Sequence, residues 1–436
     1  MCPPFNFEHL PLQWSLHVSY QRVRSSAVPV RLRLLPSARC LFDEPVVLKI
    51  AGLRSKQVVT IRASTTDERG LEFTSSANYR ADGCGEIDLS RDPSVGGSYL
   101  GVEPMGLFWS MKSQILHKDF RKTRAVDPIK VNFSIHEEKG KMLAEVTNER
   151  FLMGDGVSRL PVKEGNIDGV LFTPPGKGPF PAVLDLYAYR SEKRACLLAN
   201  KGFVTLSVPV NIDSQKPIHL DHFEDAVDFL QRLPKVDGKG VGILSKSKGG
   251  EVALSLSAFV RGVKAVVWIN GCSANTGLPL YYKKKQILPA LMFDHKKTFS
   301  TNSGAVISKY AMHDPLKAEN RDCLVPIEQA GGNFLFVASG EHLISDRKAY
   351  MDNMVERLRH HGKDNFETLS YPQAGHYLEP PYGPFCRSSL NVILGGPALW
   401  GGKPRSHAAA EVHLWREIQK FFRSHLTCET APIKPE

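Results

Sequence analysis

The stretch KGVGILSKSKGGEVALSLSAF, residues 239–259, decides the fold. Val241 to Leu244 read as a short apolar strand, and Glu251 to Phe259 carry apolar residues at helical spacing. Between them lie only Ser245, Lys246, Ser247, Lys248, Gly249 and Gly250. A strand that passes into a helix through residues this small predicts a sharp turn with Ser247 at its apex. Such a turn exposes a hydroxyl at the carboxyl end of a sheet and at a helix N-terminus. There the backbone N–H of Lys248 faces the place where an oxyanion would develop. A plain serine in a tight strand-to-helix loop, with no chemistry, fits the same residues equally well.

Outward from this turn the chain keeps the same texture. GVLFTPP, PAVLDLY, FVTLSVPV, AVVWING and NFLFVAS are short, nearly continuous apolar runs, as expected of strands buried on both faces of a parallel sheet. DHFEDAVDFLQRLP, KAYMDNMVERLRHHG and the amphipathic HAAAEVHLWREIQKFFRSHL lie between or after them as helices. Residues 30–160 differ. PVVLKIAGL, QVVTIRAST, LEFTSSANY and IKVNFSIHE alternate apolar and polar residues, and turn signals such as DERG and ADGCGE separate them. With 436 residues the chain divides into two domains. The expected architecture is an N-terminal extension over 1–30, an antiparallel, Ig-like β-sandwich over 31–160, an α/β domain with a mostly parallel sheet over 161–428, and a tail over 429–436.

Composition narrows the function classes. The 42% hydrophobic and 23% charged residues are ordinary for a soluble globular protein, and no apolar run is long enough for a membrane helix. The formal net charge is +11, but the basic residues are dispersed; the densest patch, YYKKKQ at 281–286, lacks aromatic interleaving and reads as a solvated loop, not a nucleic-acid surface. Cysteines at 2, 40, 84, 196, 272, 323, 386 and 428 show no CxxC pair and no zinc spacing, so they read as reduced thiols in an intracellular compartment, with no metal site. Arg22, Arg24, Arg31, Arg33 and Arg39 stand against the single acid Glu8 in the first 40 residues. That composition suits a mitochondrial transit peptide and an unstructured extension equally. The APIKPE terminus is no peroxisomal address.

Ser245-Lys246-Ser247-Lys248-Gly249 keeps the second glycine of the Gly-x-Ser-x-Gly turn that carries the nucleophile in α/β hydrolases, with serine in place of the first. A nucleophilic serine needs a base. In YPQAGHYLEPPYGP, His376 follows the apolar strand FETLSY near the end of the domain, where that fold carries its histidine. The supporting acid should come from EHLISDRKAY, the loop after NFLFVASG, where Glu341 and Asp346 are the candidates and Glu341 is nearer the strand.

With these residues in view, the chain resembles the acyl-CoA thioesterase and bile acid-CoA:amino acid N-acyltransferase family from about residue 30 onward. LFDEPVVLKIAGL and GGSYLGVEPMGLFWSMK are similar to its N-terminal domain. LFTPPGKGPFPAVLDLY, GHYLEPPYGPFC and WGGKPRSHAAAEVHLWREIQKFF are similar to its catalytic domain. The resemblance implies a β-sandwich followed by an α/β-hydrolase domain, acyl-CoA as substrate, no cofactor, and a nucleophile–Asp–His triad with Ser247 and His376 at matching positions. There are two departures. DLYAYRSEKRACLLANKGF has no glycine before Gly202, although this loop should supply the second oxyanion donor, and Tyr187 to Arg190 are bulky. His342 falls where the family has its aspartate, leaving Glu341 or Asp346 to substitute. The resemblance implies hydrolysis of fatty acyl-CoA through an acyl-serine; composition points to the cytosol or a mitochondrion, with a peroxisome less expected without an SKL-type terminus. Transfer to glycine or taurine is the second reading, and a non-catalytic acyl-CoA binder is the third.

Overall fold

The computed structural model describes residues 29–210, 216–391 and 394–427. The basic stretch 1–28, Cys2, Cys428 and the tail lie outside the described residues, and so do the expectations placed on them.

Two sheets make up the N-terminal part. One has three strands, with Val47–Ala51 between Arg31–Leu35 and Ile87–Asp88. The other has seven and is mainly antiparallel, centred on Val58–Thr66, Glu72–Arg80, Ile129–His136 and Met142–Phe151. The expected alternation is the reason they pair as they do. Val59, Ile61, Ala63 and Thr65 point inward opposite Tyr79, Ala77, Ser75 and Phe73. A one-residue slip of either strand would turn its own inward row to solvent. Leu48 and Ile50 from the small sheet meet Ile61, Phe73 and Phe133 from the large one in one apolar cluster. A short helix, Gly106–Trp109, lies in this part, where the sequence pattern indicated none.

The second part is built on an eight-stranded sheet. Its strands are β1 (Ser158–Glu164), β2 (Ile167–Thr173), β3 (Phe180–Tyr187), β4 (Val204–Pro209), β5 (Val236–Lys246), β6 (Val263–Ile269), β7 (Asn333–Ser339) and β8 (Phe366–Tyr371). The spatial order is β1-β2-β4-β3-β5-β6-β7-β8. Only β2 runs antiparallel to its neighbours; β4 through β8 with β3 are parallel. The division expected after residue 160 falls inside β1. Helices α1 (Lys193–Ala199), α2 (Asp221–Arg232), α3 (Lys248–Phe259), α4 (Arg347–His360) and α5 (Pro404–Leu426) cover the sheet. Every residue of β4 is buried, which is why these strands are apolar throughout and do not alternate. The YYKKKQ patch forms the exposed turn of a small hairpin, with Lys283 and Lys284 at positive φ. Among the described residues no helix is long and apolar enough to cross a membrane.

The two parts share one apolar cluster and are tied near the carboxyl edge of the large sheet. The indole N–H of Trp415 donates to Asp43 at 2.8 Å, the Phe385 N–H to the Trp109 carbonyl at 3.0 Å, and the Glu192 N–H to the Thr123 carbonyl at 2.7 Å.

Candidate active site

Ser247 is the single residue between β5, which ends at Lys246, and α3, which starts at Lys248. Its backbone lies at φ 54°, ψ −125°. Residues with a side chain rarely adopt positive φ, and holding one there costs about 1–3 kcal/mol. Neighbours impose it: the Ser247 N–H donates to the Ile269 carbonyl at 3.0 Å, and the Ser247 carbonyl accepts from Gly250 at 2.9 Å. The hydroxyl does not cap the helix it precedes. Small flanking residues are required, since a β-carbon on Gly249 would lie 2.8 Å from the Leu186 carbonyl oxygen. Ser245 fits in place of a glycine because its Oγ donates to the Val267 carbonyl at 2.7 Å on the adjacent strand.

Lys248 opens α3, and the first N–H groups of a helix have no carbonyl within it to bond. Its ammonium turns away from that end, to Glu251 at 2.5 Å and the Thr276 carbonyl at 2.6 Å, so only its backbone is offered to an oxyanion. Tyr187, the last residue of β3, donates to Glu379 at 2.9 Å; in the loop that follows, Arg190 pairs with Asp168 at 2.6 Å near the surface, and Tyr189 is about half exposed.

His376 follows β8 in a loop packed from above. Its N–H donates to the Trp400 carbonyl at 2.9 Å, and its imidazole stacks on the Trp400 indole with centroids 5.2 Å apart. Its carbonyl accepts from Asn270 Nδ2 at 3.0 Å. Asn270 directly follows Ile269, whose carbonyl holds Ser247. The end of β6 therefore tethers both the serine and the histidine. Gly401, at φ 80°, closes this arrangement: a β-carbon there would sit 2.0 Å from the Glu341 carbonyl oxygen. Gly401→Ala is expected to destabilise the protein by about 1–3 kcal/mol. Urea unfolding checks this, and an unchanged midpoint would contradict it.

The acid expected beside His376 is not Glu341. That carboxylate is turned outward to Lys403 at 3.7 Å and is substantially exposed. Asp346 caps α4, accepting from the Ala349 N–H at 3.1 Å. The place next to His376 is filled by the buried His342, whose Nε2 lies 2.5 Å from His376 Nδ1. In this loop neighbouring side chains diverge, and the more apolar imidazole takes the buried direction. Burial pushes the His342 pKa well below its ordinary value, and His376, Arg347 and Lys309 add to the shift. Burial likewise lowers His376, with Arg347, Lys246 and His407 adding to it.

Beside this pair lies a buried charged cluster that the sequence reading did not identify. Lys246, the residue before Ser247, contacts Glu379 Oε1, and Lys193 reaches Glu379 Oε2 at 3.0 Å. Lys246 also lies over the Tyr377 ring at 4.0 Å. Burial works to raise the Glu379 carboxyl, but Lys246, Lys193 and Arg194 outweigh it and hold the group well below the usual carboxylate range. A lysine ending an apolar strand was the available signal, because a buried ammonium needs a partner. Trp400 and Asn270 carried no such signal.

The strand order and the serine turn define an α/β hydrolase with an added N-terminal β-sandwich. Residues 43–164 match the model of the acyl-CoA thioester hydrolase/BAAT N-terminal region, and residues 218–428 match that of the BAAT/acyl-CoA thioester hydrolase C terminal. The human mitochondrial acyl-coenzyme A thioesterase 2 is 38% identical over 95% of this chain and 91% of its own. Human acyl-coenzyme A thioesterase 1 is 39% identical over 91% and 96%, and mouse acyl-coenzyme A thioesterase 3 is 40% identical over 90% and 94%. The chain belongs to the BAAT/acyl-CoA thioester hydrolase family. Among solved structures, a dienelactone hydrolase-like promiscuous phosphotriesterase from metagenomic libraries aligns with 62% of this chain and 100% of its own, at 18% identity and a TM-score of 0.40, too distant to carry an argument.

Proposed function

We propose that the protein hydrolyses fatty acyl-CoA thioesters, with Ser247 as nucleophile and His376 as base. The observation that carries this reading is the match along nearly the whole chain to relatives named acyl-CoA thioesterases. The strained turn under Ser247 supports the assignment of the nucleophile. The proton of Ser247 Oγ passes to His376 Nε2 as Oγ bonds the thioester carbonyl carbon. The C–S bond breaks, and the coenzyme A sulfur leaves with the proton returned by His376. Water then gives a proton to His376 as it bonds the acyl carbonyl carbon, the C–Oγ bond breaks, His376 returns the proton to Ser247 Oγ, and the fatty acid is released. The backbone N–H of Lys248 stabilises the oxyanion in both halves.

The same relatives favour water over an amino acid as acceptor. Placement in the cytosol or a mitochondrion belongs to the same proposal, since one relative's name carries the mitochondrial label and another's carries none.

Purified protein incubated with medium- and long-chain acyl-CoA is expected to release free thiol and fatty acid in equal amounts, and adding glycine or taurine should not divert the acyl group. An N-acyl amino acid as main product would establish the transferase reading instead. Stable binding of acyl-CoA with no thiol release above that of Ser247→Ala would establish the binder.

A further inference from the structure

Two backbone donors converge on one nitrogen of His342. The N–H groups of Ile344 and Ser345 lie 3.2 and 3.1 Å from its Nδ1. A ring nitrogen that accepts carries no proton, so a neutral His342 has its proton on Nε2. That Nε2 faces His376 Nδ1. The contact is therefore a donation from His342 to His376, and it occupies the Nδ1 lone pair of His376. A neutral His376 then carries its own proton on Nε2.

We infer that His342 holds His376 mainly in the Nε2-protonated tautomer, so that the form with a free Nε2, which the Ser247 proton requires, is the minor one. The inference rests on the proposed roles of Ser247 and His376. A carboxylate in the place of His342 would do the reverse. It would accept from His376 Nδ1–H, free Nε2 as a base and stabilise the imidazolium that forms. His342 is thus a positioning residue that sets a low rate. Protonating either ring offers no escape. A second proton on His342 would point at the two backbone N–H groups, and one on His376 Nδ1 would point at His342. The charged groups acting most strongly on the pair are Arg347 on α4, Lys309, Lys246 on β5 and His407 on α5. None of them is a carboxylate, and all oppose a positive imidazole.

The size of the effect follows from serine proteases. There an amide in place of the triad aspartate sets the same wrong tautomer and lowers kcat on the order of 10⁴-fold. Two variants of the full-length protein separate this role from packing. His342→Asp and His342→Asn are nearly the same size, and both can accept from Ile344 and Ser345. Only the aspartate can then accept from His376. Thiol release from a medium-chain acyl-CoA is expected to be about 10³–10⁴-fold faster for His342→Asp than for His342→Asn. The aspartate variant alone should show a rate that rises with pH as His376 deprotonates, because only there does the carboxylate hold the imidazolium. Equal rates and pH profiles in the two variants would overturn the inference.

Nitrogen NMR of histidine-labelled, unsubstituted protein tests the tautomer directly. His376 signals are assigned by their loss in His376→Gln. The expected pattern is an unprotonated Nδ1 and a protonated Nε2; the opposite pattern would overturn the inference whether or not the variants fold. Should Ser247→Ala leave thiol release unchanged in every background, the hydrolase reading would fall, while the NMR pattern would still decide the tautomer.

Discussion

Replacing Ser247 by alanine is expected to slow thiol release by about 10²-fold in the native background, but by about 10⁶-fold when residue 342 is aspartate. The asymmetry comes from the way a catalytic unit fails. In a serine protease, losing the nucleophile costs about 2 × 10⁶ in kcat and losing the aspartate about 3 × 10⁴, so once the aspartate is absent the serine retains only the ratio of the two. With His342 beside His376, most of the unit's advantage is already missing. Steady-state thiol release for the native protein, Ser247→Ala, His342→Asp and the double variant measures the coupling. Equal losses from Ser247→Ala in both backgrounds would show that residue 342 and the serine act independently.

Glu379→Gln is expected to destabilise the protein by about 3–5 kcal/mol, the usual result of breaking a buried ion pair from one side. Two ammonium groups, Lys246 and Lys193, share this carboxylate, and all three are largely buried. The amide would leave both without a counter-charge. The same pairing fixes a pH dependence. The folded-state pKa of Glu379 lies well below its ordinary value near 4.5. Its contribution is therefore complete above about pH 4.5 and is lost as pH falls toward the folded-state value. Urea unfolding at pH 7 and at pH 4 checks both points. Glu379→Gln should lose most at pH 7, and its difference from the native protein should shrink as pH falls. A difference below about 1 kcal/mol at pH 7 would mean that solvent, not Glu379, neutralises the lysines.

The serine turn was legible because it depends on local order. An apolar strand, small residues at the break and a helix adjoin within 21 residues, so the turn is set by local order. The buried strands were legible for the same reason, but their spatial order was not, since pairing β3 with β5 across α1, β4 and α2 leaves no trace in local periodicity. His376 could be found from its place after β8. Its support could not. Trp400 stacks on it from 24 residues away, and Asn270 holds it from a strand end 106 residues earlier. Which of the adjacent Glu341 and His342 faces inward is not carried by spacing along a loop, whereas the resemblance to the family sets His342 in the place of its aspartate. The reading favoured the carboxylate on chemical grounds, whereas the fold placed the imidazole inside and left the carboxylate to Lys403.

Hydrolysis by this route requires that Ser247 carry the acyl group. A thioester acylates serine more readily than the resulting ester is hydrolysed, because thiolate is the better leaving group, so an acyl-enzyme should accumulate before the steady state. The direct measurement is peptide mass spectrometry of native protein, acid-quenched at intervals up to one steady-state turnover after mixing with excess acyl-CoA. An added acyl mass is expected on the peptide containing Ser247 and is absent from Ser247→Ala. Thiol release at the native rate with no acylated peptide, or with the acyl group on another residue, would contradict it.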